Sequence, residues 1–426
     1  MCLESVPPPP SRLTRRGVLA GAAALAGTAA VLAGPAPGAA ARPADRPEPD
    51  ASGDLVIEGG TLLDPATGEV TEDAVVVIRG GRVRWAGRRG TGSVPAGLPQ
   101  LDAHGHWVLP GLVDAHIHLQ TVAEARTALT HGATSARSGS TTFFQDIAVR
   151  ELARRLPTRA PRLTAAGVFV TPDLGESVLA DPELAPLTAL KDGVRSAEAL
   201  RRVVEVNLAR GADVIKTRVN ERAGLPEQDP LTQVYSYEQL AEVVAAARRG
   251  GRGVLCHSYS AKGCDDAVRA GIRSLEHGVF VAERTLHDMA RRGTYFTPTL
   301  TAIAGMVGDP DPVLDERGRT FLPVLKEAVR TAHALGVPLA AGTDSSGGAV
   351  DPVGGEVVLM HRAGLAPLDA IRTATTNAAR LLGLEGAVGR LAPGFAGDAV
   401  LLAGDPLADL SLLTRPARVV RAARPV

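Results

Sequence analysis

His116 and His118 lie two residues apart at the end of a short apolar run, so on a strand both imidazoles point to one face. Two imidazoles so placed can hold one divalent ion. Four further residues, Lys216, His257, His277 and Asp344, each close a later apolar run. Val214 and Lys216 share a strand face, and an unpaired ammonium inside a fold is costly. A neutral amine can instead take up carbon dioxide as a carbamate, whose two oxygens can bridge two ions. A lysine paired with a carboxylate is the plainer alternative. His257 and His277 end successive runs one strand–helix unit apart and suit a second ion. Asp344 follows Pro338–Thr343 and precedes Ser345-Ser346-Gly347-Gly348. A carboxylate there can bind an ion and accept a proton from water. Spacing alone is weak evidence, because His104-Gly105-His106 repeats it in a turn-rich stretch before Pro110-Gly111 and reads as surface.

The elements that must position these residues alternate. Short apolar runs fall at 112–116, 133–137, 162–168, 212–216, 253–257, 272–276, 294–298 and 338–343. Amphipathic stretches lie between them. In 236–250, Leu240, Val243, Val244 and Ala247 share a face, and Ser236 with Gln239 forms a capping-box start. In 196–209 the stripe is Leu200, Val203, Val204 and Leu208. Eight such units fit a (β/α)8 TIM barrel, an α/β fold that typically needs about 250 residues. A Rossmann-like sheet would call for a Gly-rich phosphate turn after the first run, and none is there. β-type runs with Gly59-Gly60 and Gly80-Gly81 precede the barrel, and further ones at 398–402 and 418–421 follow it. The expected organisation is a barrel over 110–383 and one small β-sandwich built from 54–109 and 384–426.

Residues 1–41 read as an export signal. Arg12, Arg15 and Arg16 precede an Ala/Gly-rich apolar run, and Gly38-Ala39-Ala40-Ala41 offers small residues for cleavage. Thr14-Arg15-Arg16-Gly17-Val18-Leu19 resembles a twin-arginine motif. Residues 42–53, rich in Pro and Asp, read as a linker. The expectation is an exported chain, secreted or held in the cell envelope, with no stable membrane insertion after cleavage. With 46 basic and 46 acidic residues the chain is neutral and has no basic run beyond its N-terminus, which argues against nucleic acid as a partner. Hydrophobic residues make up 45% and aromatics 3%, so the core must be Ala, Val and Leu. Cys256 and Cys264 read as core thiols.

The blocks Leu109–Leu119, Ser274-Leu275-Glu276-His277-Gly278, Ala341-Gly342-Thr343-Asp344 and Thr373–Gly383 carry a resemblance. Together they are similar to the metal-dependent amidohydrolase superfamily, in its imidazolonepropionase-like and Xaa-Pro dipeptidase-like branch, over about 55–426. The resemblance implies His116 and His118 on one ion, His257 and His277 on the other, carboxylated Lys216 as bridge and Asp344 as ligand and proton shuttle. It departs in two loops: Thr217-Arg218-Val219-Asn220-Glu221-Arg222 replaces a Gly-rich segment, and Ala136-Arg137-Ser138 replaces a Val-Arg-Asp strand end. Both departures bear on substrate, not on metal.

The implied activity is that of a binuclear hydrolase cleaving an amide-type C–N bond in a small molecule, such as an Xaa-Pro dipeptide, an N-acyl amino acid or a cyclic amide. Two divalent ions would lower the pKa of a shared water, and Asp344 would carry its proton to the leaving nitrogen. Zinc suits the ligand set, as would Mn, Fe or Co. The alternatives are a mononuclear deaminase on the same barrel, which needs no barrel lysine, and a non-catalytic binding protein on a retired hydrolase fold. Arg137 and Arg218 are candidates to bind a substrate carboxylate, and Tyr235 and Tyr237 to line the mouth. A homo-oligomer stays open. His131, His287, His333 and His361 fall in helical patterns and read as structural.

Overall fold

The computed structural model describes residues 53–175, 178 and 181–426. The export segment and the linker, apart from Gly53, lie outside the described residues. The described chain opens on β1 (Leu55–Leu63), β2 (Val70–Arg79), β3 (Arg82–Arg88), β4 (Gln100–Asp102) and β5 (Trp107–Pro110). It continues through β6 (Leu112–Ile117), β7 (Ala133–Ser138), β8 (Arg162–Thr164), β9 (Ile215–Arg218), β10 (Val254–Ser258), β11 (Ser274–His277) and β12 (Tyr295–Thr297). It ends on β13 (Ala399–Leu402), β14 (Arg418–Arg421) and β15 (Arg424–Pro425).

The two ends of the described chain join. β5 pairs antiparallel with β13, from Ala399 against Pro110 to Leu402 against Trp107. The β2–β3 hairpin turns on Gly80 and Gly81, both at positive φ (59° and 67°), as a tight two-residue turn requires. Along β2, Ala74, Val76 and Ile78 enter one apolar cluster and Val75 and Val77 another, the period-2 alternation of a strand covered on both faces. Strands from both ends of the described chain thus join in one hydrogen-bonded sheet of eight strands, the small β-domain expected from the two ends. Irregular register at Glu58/Gly60 and Gly60/Leu62 lets β1 serve β2 along its length, then β4, then β5. Leu55, Ile57 and Ile78 share a core with Leu401 and Val420 from the carboxy-terminal strands.

The middle of the chain is parallel. β6-β7-β8 form a three-stranded sheet and β9-β10-β11-β12 a four-stranded one. Val170 bridges Thr217 beyond the end of β8, and Phe296 of β12 bridges Leu339. On the other side Ala115 N donates to Ala341 O at 2.8 Å and Asp344 N to His116 O at 2.7 Å. Residues 338–344 thus run between β12 and β6 without forming a regular strand. A Cβ at Gly342 would sit 2.6 Å from the His116 Cβ, so the segment passes too close to β6 for ordinary side-chain alternation.

Helices alternate with these strands: α1 (Val122–Thr130), α2 (Gln145–Arg155), α3 (Ala197–Ala209), α4 (Tyr237–Arg249), α5 (Ala261–Ala270), α6 (Glu283–Arg292), α7 (Leu300–Ala304), α8 (Pro312–Ala334) and α9 (Val353–Arg362). α4 starts at the expected capping box, with Ser236 and Gln239 bonding reciprocally, a feature worth about 1 kcal/mol. Leu240, Val243, Val244 and Ala247 are buried beneath it, and Leu200, Val203 and Val204 beneath α3, with Leu208 half-buried. The main core is built largely of Val, Leu and Ala, and both Cys256 and Cys264 are buried free thiols within it. Among the described residues no helix is long and apolar enough to cross a membrane.

Candidate metal centre

The ends of β6, β9, β10 and β11 and the segment after residue 338 bring the six ligand-type residues into one neighbourhood. His116 and His118 project from β6 and the residue just past it, with ring centroids 5.6 Å apart. His116 lies 5.5 Å from His277, and His277 lies 4.4 Å from His257. Donor atoms of His116, His277 and Asp344 all fall within 4.8 Å of one another. Lys216 Nζ is 3.0 Å from His116 Nε2. His118 Nε2 and His116 Nε2 are 3.0 and 3.3 Å from Asp344 Oδ1. The set is almost wholly buried, Lys216 being 2% exposed and Asp344 7%.

Each ring is oriented by an acceptor on its far nitrogen. His116 Nδ1–H donates to Glu276 Oε2 at 2.6 Å and His118 Nδ1–H to Ser140 O at 2.7 Å. His277 Nδ1 meets Thr299 Oγ1 at 2.7 Å, and that hydroxyl gives its own proton to Pro298 O, so it accepts from the imidazole. In all three rings Nε2 is left with its lone pair turned inward. His257 is reversed: its Nε2 lies 3.1 Å from Glu221 O, which leaves Nδ1 to face an ion. Such outer partners fix the tautomer and raise ligand basicity.

The residues present fit divalent ions. The His118 Nε2 lone pair and an Asp344 oxygen face each other at 3.0 Å, two acceptors that only a shared cation or proton reconciles. Space is kept there by Gly139: a Cβ on it would lie 2.6 Å from Nε2 of both His116 and His118. The chemistry of the donors agrees, since imidazole and carboxylate are ligands of zinc-type ions in their neutral and ionised forms. Burial, reinforced by the nearby His277 and Lys216, holds His257 well below its usual pKa. Burial likewise lowers His277 to about 3. Burial pushes Asp344 up, but its contacts with His116 and His118 outweigh that and hold its carboxyl well below the usual carboxylate range.

Strain marks the same places. Ser140, His277, Thr299 and Asp344 are non-glycine residues at φ 99°, 65°, 51° and 56°. Each such residue costs on the order of 1–3 kcal/mol and persists where the surroundings impose it. In a regular strand Glu276 and His277 would face opposite sides; the left-handed turn at His277 lets both serve the centre.

Beneath the ligands lies a buried ion pair that the sequence reading missed. Glu276 is fully buried and accepts from Arg137 Nη2 at 3.0 Å. Burial raises its pKa, but the charge of Arg137 and the hydrogen bond from His116 prevail and hold it at about 2. Arg137 is therefore not a substrate contact: at 2% exposure its Nε donates to Ala115 O and its Nη1 to Ser274 Oγ. Asp114, also missed, accepts from His116 N, Thr343 N and Thr343 Oγ1, tying β6 to the segment before Asp344. Burial raises it to about 7.

Tyr235 also leaves the mouth. Tyr235 is 1% exposed with its hydroxyl donating to Val194 O at 2.8 Å, and Tyr237 lies at the start of α4 under the Arg269 guanidinium. Arg218 stays beside the centre, opposite His257 in the strand register, with Thr171 Oγ1 and Glu221 as partners. The other pair, His104 and His106, stands apart: His104 is bonded to Asp102 with its side chain 67% exposed.

A floor of acceptors, inward-facing imidazoles and an ionised aspartate define a metal-dependent hydrolytic class of centre. Residues 107–424 match the Amidohydrolase family, and the chain belongs to that family. It is a hydrolase acting on C–N bonds, and its family uses divalent ions. The chain is similar to the ochratoxinase of Aspergillus niger, 27% identical over 406 aligned residues covering 84% of this chain and 83% of that one. It is similar to the adenine deaminase of Mesorhizobium japonicum, 28% identical over 388 aligned residues covering 87% of this chain and 57% of that one. Its fold is similar to the crystal structure of a Xaa-Pro dipeptidase with bound methionine in the active site, at TM-score 0.78 and 24% identity, covering 88% and 99%.

Proposed function

We propose that this chain is a binuclear metal-dependent amidohydrolase that cleaves a dipeptide such as Xaa-Pro, an N-acyl amino acid or a cyclic amide. The observation that carries it is the extension of the donor set beyond one trio: His257 lies 4.4 Å from His277, ring to ring, and Lys216 Nζ 3.0 Å from His116 Nε2. The two parallel sheets are read as staves of one (β/α)8 barrel. The bridges Val170–Thr217 and Phe296–Leu339 and the hydrogen bonds from β6 to 341–345 support that reading. The export of the mature chain by a twin-arginine route rests on residues 1–41 alone.

His116, His118, His257, His277 and Asp344 would hold the ions, zinc being the best match, with Lys216 as a carbamate between them. When bound, the ions supply Lewis acidity and a nucleophile near neutral pH. Asp344 takes a proton from the attacking water and returns it to the leaving nitrogen as the C–N bond breaks. The Glu276–Arg137 pair holds His116 in one tautomer through the cycle. Arg218, at the rim, is the remaining candidate for a substrate carboxylate.

One observation favours a second reading. The close donor trio is a one-ion set, as a mononuclear deaminase would have. Zinc-loaded chain incubated with dipeptides, N-acyl amino acids and aminopurines, read by mass spectrometry, separates the two. Cleaved amides support the hydrolase, and ammonia release from aminopurines with intact amides overturns it.

A further inference from the structure

Aromatic residues are scarce in this chain, with Phe, Trp and Tyr making up 3% of it. Several gather at the metal centre. On one side Tyr259 stacks on His277 at 5.2 Å with Phe321 and Phe280 behind it. Tyr259 and Phe321 are 3% and 8% exposed, so that side is packed core. The Lys216 side is less enclosed. Phe169 is half-buried, with its ring centroid 5.5 Å from Lys216 Nζ.

The loop after β7 adds to this side. Gly139 abuts His116 and His118, and Ser140 holds His118 through its carbonyl. Phe143 and Phe144 follow at φ 52° and 56°, a region that bulky L side chains rarely adopt. Phe144 Cδ1 packs towards Gly167, two residues before Phe169, so the loops after β7 and β8 meet. Phe143 is 54% exposed. An aromatic residue held in strained backbone yet left in solvent contributes little to the core, and strain of this kind gathers at ligand-binding sites.

We propose that Phe169 and the Phe143–Phe144 loop form an apolar wall of the active site that receives an aromatic or large aliphatic group of the substrate. The inference rests on the reading of the centre as an amide hydrolase and narrows its substrate class. A group packed on this wall leaves water, and one methylene in such a site discriminates by about 10-fold or more.

The test compares kcat/KM of zinc-loaded chain for two matched series: acetyl against phenylacetyl on one amino acid, and glycine against phenylalanine under one acyl group. In at least one series the aromatic member leads by about tenfold or more. Phe169→Ala and Phe143→Gly each reduce that ratio several-fold. Glycine accepts φ 52° without strain, so Phe143→Gly keeps its Tm and separates substrate contact from folding. An equal ratio in wild type, or a ratio that survives both substitutions, overturns the wall. So does loss of a dimer in Phe143→Gly with the preference intact, which would make Phe143 a contact between copies. Failure to hydrolyse any member of either series, together with failure on Xaa-Pro dipeptides and cyclic amides, overturns the amide-hydrolase reading itself.

Discussion

Two histidine pairs with identical spacing stand close together in this chain, and the structure treats them oppositely. His104 and His106 lie in a turn, bonded to Asp102 and to the His104 carbonyl, all within two residues. His116 and His118 draw partners from across the chain: Glu276 at a separation of 160 residues, Lys216 at 100 and Asp344 at 226. The difference separates a candidate metal pair from a surface pair. Spacing aims two imidazoles at one face, but long-range acceptors fix their tautomers, and a converging carboxylate supplies charge.

The comparison can be broken in several ways. Asp344→Ala is expected to keep the fold and to lower kcat by about 10³-fold, read on the zinc-loaded chain with the best amide substrate, since proton transfer contributes 10²–10⁴-fold. Glu276→Gln is expected to weaken zinc affinity by about 10- to 100-fold through the loss of the His116 partner. It should also destabilise the metal-free chain by about 3 kcal/mol, because Arg137 is left buried without its counter-charge. Competition with a chelator and thermal melts read these two effects separately.

A third prediction sets one buried carboxylate against another. Glu276 has the Arg137 cation; Glu356 is held by Leu300 N, Thr301 N and the Thr301 hydroxyl, and burial raises it from 4.5 to about 7. Between those values the folded chain keeps a proton that the unfolded chain has lost. The contribution of Glu356 is therefore fully present below about pH 4.5 and is lost as pH rises through about 7. Glu356→Gln should flatten the fall in Tm over that window, and an unchanged slope would argue against it. The smallest effect belongs to the surface pair: His104→Ala with His106→Ala should leave kcat/KM within about twofold, as exposed substitutions usually do.

Much of this was legible in the sequence and some was not, for physical reasons. The alternation of apolar runs and amphipathic stretches placed β6 to β12, because strand and helix periods differ, while the run at 338–343 passes between β12 and β6 without becoming a regular strand. The six ligand-type residues were legible by type and position at run ends. Glu276 was hidden because strand alternation turns it away from its neighbour His277, and only the left-handed φ at His277 brings both to the centre. Ser140 acts through a carbonyl that every residue has, so nothing in its type announces it. Arg137 and Tyr235 looked available for substrate, yet each is consumed by an internal partner that sequence distance concealed.

Metal content most directly tests the central claim that Lys216 completes a two-ion centre. Mature chain expressed with zinc and bicarbonate would be measured by plasma mass spectrometry beside Lys216→Ala. Two ions per wild-type chain, falling to one or none in the variant together with loss of hydrolysis, is the expected result. One ion per chain in both, with hydrolysis retained in Lys216→Ala, would contradict it.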